Sequence, residues 1–311
     1  EYRCMLSLPQ AKTISILRER LRKYPSVRLL DGMEFVEQQE DSRGVRVRLR
    51  DVNTSALSDY AAAYLVGCDG HRSAVRNHLR IPYPGHDYRA RFFMADFQDQ
   101  TEWGSEARLY FGTDGSVEAF PLSGGRRRWI IQMPLQACPE TTALGATVAE
   151  QVARRTGVDL STAPALFESH FRPQRRLAER YFQGRVLLCG DAAHVMSPIG
   201  GQGMNTGFAD AAELDKTLSA VFETPYRALG LFADYDRIRR RAFNIAASRA
   251  ARGMWLGTRK GRLLSNLRRV LIRRILFRPA MRKKLARYFA MLTIPGHPLF
   301  ECTRKAPGNV P

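Results

Sequence analysis

Hydrophobic positions between residues 185 and 220 predict a buried strand followed by a helix. The strand is the apolar run 186–188, which ends at Gly190-Asp191 as a strand entering a tight turn does. A loop containing Pro198 follows, and apolar residues then recur at three- and four-residue steps over 204–220. The pattern therefore predicts a strand, a turn with a carboxylate, a loop and a helix.

Candidate chemistry lies in the loop between this strand and this helix. The carboxylate of Asp191 can accept hydrogen bonds from sugar-like hydroxyls, and Gly200, Gly201 and Gly203 remove Cβ atoms where backbone must approach a flat ligand. Unpaired N–H groups at the start of the helix favour an anion or an electron-rich carbonyl. The pattern indicates a site for a dinucleotide-sized cofactor. The alternative is an ordinary strand-turn-helix in which the glycines serve packing.

Similar periodicities predict the elements before this region. In chain order they are a helix over 13–23, two strands within 28–49, a strand over 60–66, a helix over 72–79, β-rich runs at 92–97, 107–111, 117–120 and 129–133, and a helix over 142–155. The four β-rich runs are separated by glycine-bearing or polar turns, which predicts an antiparallel sheet.

Composition adds limits on class and compartment. The chain has 311 residues and 44% hydrophobic content, enough for about two domains. Its five cysteines form no C-x-x-C pair, which indicates a reducing cytoplasm and argues against a zinc site. No apolar run is long enough for a transmembrane helix.

Positive charge is concentrated in the carboxyl-terminal part. Residues 237–300 contain 18 Lys and Arg and no Asp or Glu, against a net charge of +19 for the whole chain. Leucines and other apolar residues over 263–275 alternate with arginines at helical spacing, and a second basic stretch covers 281–291. Such basic amphipathic helices suit an anionic membrane surface, at the inner face of a membrane, or an acidic protein. A helical cap packed on the catalytic body is equally favoured, and nucleic acid is the least favoured partner because aromatics are sparse.

Two long motifs and one short one carry a family resemblance. They are GDAAHVMSPIGGQGMNTGFADAAEL from residue 190, LVGCDGHRSAVR over 65–76, and Leu8-Pro9-Gln10. In sequence and in order they resemble the flavin-contact motifs of the single-component FAD-dependent aromatic hydroxylases, the group of para-hydroxybenzoate hydroxylase. The resemblance covers about residues 1–225.

The resemblance implies an α/β fold. We expect an FAD-binding Rossmann-like domain of the glutathione-reductase type, N-terminally incomplete, over 1–85 and 171–225. An antiparallel β-sheet substrate domain is expected to be inserted over 86–170, and a basic helical region over 226–311. No G-x-G-x-x-G precedes Gln10, so the chain is expected to be a carboxyl-terminal portion that binds FAD poorly by itself.

The resemblance also implies roles for individual residues. Asp191 is expected at the ribityl or pyrophosphate part of FAD, Pro198 against the isoalloxazine, and Gln10 at the ribityl chain. The remaining expected cofactor contacts are Gly201, the backbone of Gly203, Met204 and Asn205 at the pyrimidine end, and Asp69 and Arg76 in a region serving both FAD and NADPH. From the residues alone, Asp69 is better explained as a turn residue before glycine and Arg76 as a surface charge on a helix. His194 is expected to be structural, and no catalytic residue or metal site is expected in the protein.

The implied activity is hydroxylation of an aromatic or related electron-rich substrate with NADPH (or NADH) and O2, through a flavin hydroperoxide. Candidate substrate contacts in the antiparallel sheet are Arg91, Arg108, Tyr110 and Phe120. Alternatives on the same scaffold are a quinone-pathway hydroxylase, with a quinone-like substrate, and a prenyl-chain reductase. Two further alternatives are a non-catalytic fragment that binds a membrane or a partner protein, and an inert product of a broken gene.

Overall fold

The structure of the chain is a computed structural model. It describes residues 7–136, 144–198 and 201–258, together with six single positions beyond them, which are Val270, Arg278, Met281, Lys284, Arg287 and Ile294. The chain divides into two compact units. The first unit comprises Glu1–Leu29, Tyr88–Pro173 and Met254–Arg282, and the second comprises Leu30–Asp87, Gln174–Gly253 and Lys283–Pro311.

The helices within the described ranges are α1 (Gln10–Leu21), α2 (Ala74–His78), α3 (Leu144–Thr156), α4 (Gln202–Glu223) and α5 (Ala228–Thr258). The strands are β1 (Met33–Glu40), β2 (Val45–Asp51), β3 (Leu57–Ala62), β4 (Leu65–Gly67), β5 (Gly85–Asp87), β6 (Arg91–Gln98), β7 (Arg108–Gly112), β8 (Gly115–Leu122), β9 (Arg126–Met133), β10 (Ala165–Phe171), β11 (Gln174–Leu177), β12 (Phe182–Gln183), β13 (Val186–Leu188) and β14 (His194–Val195). Short 3₁₀ turns cover Gly190–Ala192 and Pro225–Arg227.

The first unit is built on a five-stranded antiparallel sheet in the order β10-β6-β9-β8-β7. Alternate residues of each strand point to opposite faces, and one face packs on α3. This face contributes Trp129 and Ile131, both fully buried, to a core completed by Val148 and Val152 of α3. The antiparallel sheet predicted from the four β-rich runs is thereby confirmed, and β10 is a fifth strand that the sequence reading missed.

Within its described residues, the second unit holds three small sheets beside a main hydrophobic core. Their strand orders are β1-β2-β3, β14-β11-β5 and β12-β13-β4. In the last of these, β4 and β13 run parallel, and all three residues of β13 are fully buried. Tyr235 of α5 is also buried and donates a hydrogen bond to the backbone oxygen of Leu188 at 2.9 Å. The predicted strand over 186–188 is confirmed, as is the helix that follows its glycine loop, since α4 covers Gln202–Glu223.

Several boundaries differ from the sequence expectation. The single strand expected over 60–66 is two strands, because β3 pairs with β2 whereas β4 pairs with β13. The first helix begins at Gln10, directly after Pro9, rather than at Thr13. None of its residues is buried, and Ile14 and Leu17 are about half exposed, at 48% and 47%. The helix expected over 142–155 is confirmed as α3.

The basic stretches expected to be helical over 263–275 and 281–291 lie almost wholly outside the described residues. Among the helices that the structure does describe, none combines the length and the apolar composition needed to cross a bilayer.

Candidate cofactor site

Two turns of the second unit meet at one edge of the parallel strand pair β4 and β13. Leu188 is the partner of Gly67 in the ladder, and the Cys189 N–H donates to the Gly67 oxygen at 3.0 Å. Carboxyl ends of parallel strands lie at the same sheet edge, where α/β folds bind their ligands. The turns that carry Asp69 and Asp191 therefore lie side by side.

The carboxylate of Asp69 fixes the start of α2. Its Oδ2 accepts a hydrogen bond from the Val75 N–H at 3.1 Å, and the buried Ser73 hydroxyl oxygen accepts from the Arg76 N–H at 2.9 Å. Gly70, between these groups, adopts the left-handed region with φ of 80°. Asp69 is thus a turn residue with a defined structural partner.

Arg76 is buried and joins the two turns. One guanidinium nitrogen donates to the Ala192 oxygen and another to the His71 oxygen, both at 2.9 Å. The guanidinium carbon lies 3.8 Å from the centre of the Tyr83 ring, a cation–π contact. Its Nε is buried and has no hydrogen-bond partner among the described residues. Arg76 is therefore buried, and it is not the surface charge on a helix that the residues alone favoured.

Asp191 stands at the end of β13 in a strongly shaped turn. Gly190 before it has φ of 61°, and the backbone oxygen of Asp191 accepts the Tyr83 hydroxyl at 2.9 Å. The Asp191 side chain is exposed, yet desolvation by the protein beneath it raises the pKa of this carboxyl against the opposing effects of His194 and His71. Within the described residues the carboxylate has no hydrogen-bond partner, so it can accept from a ligand.

A fully buried charge network lies under the Asp191 turn. The Asp210 carboxylate contacts His194 Nε2 and Arg239 Nε, each at 2.6 Å, and accepts the Gly190 N–H at 3.2 Å. Burial alone acts to raise the pKa of Asp210, but His194 and Arg239 outweigh it and hold that pKa below its ordinary value. The network ties α4 and α5 to the turn, which gives His194 the structural role expected of it.

The glycine loop leads into the N-terminus of α4. Gly201 precedes the helix with φ of 64°, and its N–H donates to the Pro198 oxygen at 2.9 Å. A Cβ placed on Gly201 or Gly203 would meet no atom within 4 Å, and the same holds for Gly70 and Gly190. These glycines border open space, as expected of a cradle for a flat group. Gly200 lies outside the described residues.

Side chains around this helix start are accessible. Pro198 and Asn205 are exposed, and Met204 is 51% exposed. The Asn205 amide donates to the Gly201 oxygen at 3.1 Å, which stabilises the turn. First-turn N–H groups of a helix have no intrahelical acceptor and carry partial positive charge. The open edge of α4 can therefore receive an electron-rich carbonyl.

The remaining expected contacts belong to the other unit. Gln10 is exposed and begins α1. Strand alternation puts Arg91, Arg108 and Tyr110 on the sheet face that packs on α3, because their ladder partners Met133, Ala119 and Val117 belong to that core or pack against it. In addition, the guanidinium carbon of Arg108 lies 4.0 Å from the centre of the Trp103 ring.

Phe120 alone of the four substrate candidates lies on the opposite face. On that face are also Glu118, flanked by Leu109 and Ile130, and an Asp96–Arg128 ion pair at 2.7 Å. Burial raises the pKa of Glu118 to about 7. The sequence reading missed these polar groups, and strict alternation along β8 was the signal that could have found them.

Tyr83 and Asp210 were also missed. Asp210 had a signal, because it lies in the helical pattern of α4 between the buried residues Thr206, Ala209 and Leu214. A carboxylate on a buried helix face requires a charged partner. Tyr83 had no such signal in the sequence, because its hydroxyl donates to the Asp191 oxygen, 108 positions further along the chain.

Comparison with known proteins agrees with this geometry. A family model described as an FAD binding domain matches residues 1–250. The chain therefore belongs to the FAD-binding domain family, and the fold is that of its aromatic-hydroxylase members.

Individual relatives refine the comparison. Rifampicin monooxygenase of Streptomyces venezuelae is 32% identical over 222 residues, which cover 70% of this chain and 45% of that protein. Dialkyldecalin synthase of Streptomyces rugosporus is 32% identical over 223 residues, covering 70% and 46%. The solved structure of OxyS anhydrotetracycline hydroxylase from Streptomyces rimosus is similar with a TM-score of 0.75 and 28% identity, over 93% of this chain and 57% of that one. The chain spans about half the length of the curated relatives that it matches.

The described residues fit the flavin part of FAD. The open glycine positions provide flat access, and the buried Oε1 of Gln202, at the start of α4, has no partner among the described residues. Asp191 adds an accessible acceptor. Within the part of the chain that the structure describes, no cluster of side chains could hold a metal ion.

Proposed function

We propose that this chain is part of an FAD-dependent monooxygenase that hydroxylates an aromatic or related electron-rich small molecule, with NADPH or NADH as reductant and O2 as the oxygen source. One observation carries the proposal. In a chain of the FAD-binding domain family, two turns at the end of a parallel strand pair are held together by Arg76, next to an open glycine-lined helix start. We further propose an FAD-binding domain over 1–85 and 171–225, a substrate domain over 86–170 and a basic helical region over 226–311. A cytoplasmic location is also proposed.

The proposed role of the protein is to position the cofactor and substrate. Bound FAD supplies the oxygen-transfer chemistry, which is why no nucleophile is required of the chain. Asp191 accepts a hydrogen bond from a ribityl hydroxyl, and Pro198 contacts the ring system. The N–H groups of Gly203, Met204 and Asn205 stabilise negative charge on the pyrimidine end. Gln10 adds a ribityl contact, and Asp69 and Arg76 hold the turn that serves FAD and the reductant.

Flavin binding is tested first on the chain itself. FAD is titrated into the purified protein, and flavin fluorescence and the visible spectrum are followed. We expect saturable quenching, with affinity at least tenfold weaker in Asp191→Ala and unchanged in the exposed control Asp114→Asn. A chain that is folded by circular dichroism but leaves flavin fluorescence unchanged at millimolar FAD contradicts the proposal.

The reaction class is tested with the relatives in mind. Rifampicin monooxygenase and the anhydrotetracycline hydroxylase have names that denote oxygenation, and we extend aromatic and polyketide-like substrates to this protein by similarity. The test supplies phenols, tetracyclic polyketides and quinones with NADPH and ¹⁸O₂. One ¹⁸O atom in the product, with one NADPH consumed, supports hydroxylation.

A second candidate is cyclisation on the flavoprotein scaffold. It is favoured by the similarity to dialkyldecalin synthase, whose name denotes carbon-skeleton formation. The same assay separates the two, because an isomerised product of unchanged mass, formed without NADPH or O2 consumption, assigns the cyclase.

The basic carboxyl-terminal stretch carries a separate proposal, association with an anionic membrane surface or an acidic protein. Its support is the composition of residues 237–300, which contain 18 Lys and Arg and no Asp or Glu. Flotation with phosphatidylserine vesicles tests it, using a variant with the basic residues over 259–287 changed to glutamine. Equal flotation of both proteins rejects the membrane partner.

A further inference from the structure

The second unit contains a pair of thiols at the ends of adjacent strands. Cys68 follows Gly67 of β4, and Cys189 follows Leu188 of β13, and those two preceding residues are ladder partners. Neighbouring strands lie about 4.8 Å apart, which falls within the range of about 4.4–6.8 Å between Cα atoms that a disulfide needs. The Cys189 N–H donates a hydrogen bond to the Gly67 oxygen at 3.0 Å, which holds the ends of the two strands together at this point.

The two thiols differ in environment. Both are free, Cys68 being exposed and Cys189 buried. The neighbouring Cys189 thiol lowers the pKa of Cys68, against the opposing effects of desolvation and of Asp69 and Asp210. The Cys68 thiol and burial raise the pKa of Cys189. An accessible thiol of lowered pKa beside a buried partner is the arrangement of an attacking and a resolving cysteine.

We propose that Cys68 and Cys189 form an oxidisable dithiol that hydrogen peroxide closes to a disulfide. The Cys68 thiolate attacks one peroxide oxygen, the O–O bond breaks, and hydroxide leaves, giving a sulfenic acid on Cys68. The Cys189 sulfur then attacks the Cys68 sulfur and loses its proton, and the displaced hydroxyl leaves as water. In total, two thiols are oxidised by two electrons and one peroxide is reduced to two waters.

The bond would join the ends of the two strands that carry Asp69 and Asp191. It would therefore fix the separation of the two turns that Arg76 already connects. In a reducing compartment such a bond is transient and is reopened by cellular thiols. The chemistry requires only the second unit as it stands, so it does not depend on flavin binding and fails or succeeds separately from the proposed function.

The test is peroxide oxidation of the reduced full chain followed by peptide mapping. The protein is treated with one to five equivalents of hydrogen peroxide, alkylated, and digested with trypsin, which places Cys68 in peptide 51–72 and Cys189 in peptide 186–216. We expect these two peptides to be recovered as one species that is 2 Da lighter than their sum and that dithiothreitol separates. Cys4, Cys138 and Cys302 serve as internal controls, and we expect their peptides to be recovered in the alkylated form.

Single substitutions test the order of the steps. In Cys189→Ser the sulfenic acid on Cys68 persists and is trapped by dimedone, whereas in Cys68→Ser the buried Cys189 reacts at least tenfold more slowly. If either variant fails to fold, the mapping of the wild-type chain still decides. Alkylation of Cys68 and Cys189 in full after peroxide treatment, or linkage to the control cysteines in equal yield, overturns the proposal.

Discussion

A guanidinium nitrogen of Arg76 donates a hydrogen bond to the backbone oxygen of Ala192 at 2.9 Å, across 116 positions of sequence. The bond joins the turn after β4 to the turn after β13, and the same side chain stacks on Tyr83. Because both turns lie at one sheet edge and each carries a carboxylate, this contact fixes the spacing of the proposed ligand groups.

Replacement of Arg76 is expected to separate the two turns. Arg76→Gln loses the bonds to Ala192 and His71, and charge-assisted bonds of this kind contribute about 1.5–3 kcal/mol each. We expect a free energy of unfolding lower by about 3–6 kcal/mol, measured by urea denaturation, and FAD affinity reduced at least tenfold. The exposed neighbour Arg72→Gln is the matched control, and equal effects of the two substitutions would show that Arg76 has no such role.

Removal of the Tyr83 hydroxyl isolates one hydrogen bond. Tyr83→Phe keeps the ring under Arg76 and deletes only the 2.9 Å bond to the Asp191 oxygen. The expected loss in the free energy of unfolding is about 1 kcal/mol. Tyr226→Phe, at a side chain that is 86% exposed, provides the baseline. A Tyr83 variant as stable as that baseline contradicts the contact.

The buried network around Asp210 predicts both stability and pH dependence. Asp210→Asn leaves Arg239 and His194 without their carboxylate, which for a buried pair costs about 3–5 kcal/mol. Since the pKa of Asp210 is lowered in the folded chain, its stabilisation is present above the ordinary value of 3.8 and is lost as the pH falls through the lowered pKa. Urea denaturation at pH 7 and pH 3 checks both points.

In that experiment the difference between wild type and Asp210→Asn is expected to shrink at pH 3. Asp215→Asn, at an exposed position of the same helix, is expected to change the free energy of unfolding by less than about 0.5 kcal/mol. A difference that grows on acidification would contradict the assigned direction of the pKa.

Glu118 is expected to give the opposite pH dependence of the free energy of unfolding, because its pKa is raised, whereas that of Asp210 is lowered. Its pKa is raised from 4.5 to about 7, so the folded chain holds more protons than the unfolded chain between these values, and the free energy of unfolding falls as the pH rises through them. Glu118→Gln removes this loss and is expected to be more stable than wild type above pH 7, by about 1–3 kcal/mol. The exposed control Glu102→Gln is expected to show no such dependence, and a variant that loses stability at high pH would refute the assignment.

The sequence determined the position of the site better than its supporting contacts. The strand over 186–188, α4 and the two turn motifs were all predictable, because short apolar runs, helical periodicity and glycine-rich turns are local signals. The roles of Tyr83 and Arg239 were not, because each depends on a partner far away in sequence. The facing of Arg91, Arg108 and Tyr110 also required the strand register, since a shift of one residue exchanges the two faces.

The most direct test of the central claim is the flavin affinity of Gly203→Ala compared with Gly230→Ala. Both glycines are in helices, and a Cβ at either position would meet no atom within 4 Å, so both variants are expected to fold with stability equal to wild type or about 1 kcal/mol higher. Only Gly203 lies at the proposed flavin cradle. We predict at least tenfold weaker FAD binding for Gly203→Ala and wild-type binding for Gly230→Ala, whereas equal affinity of the two variants would contradict the account.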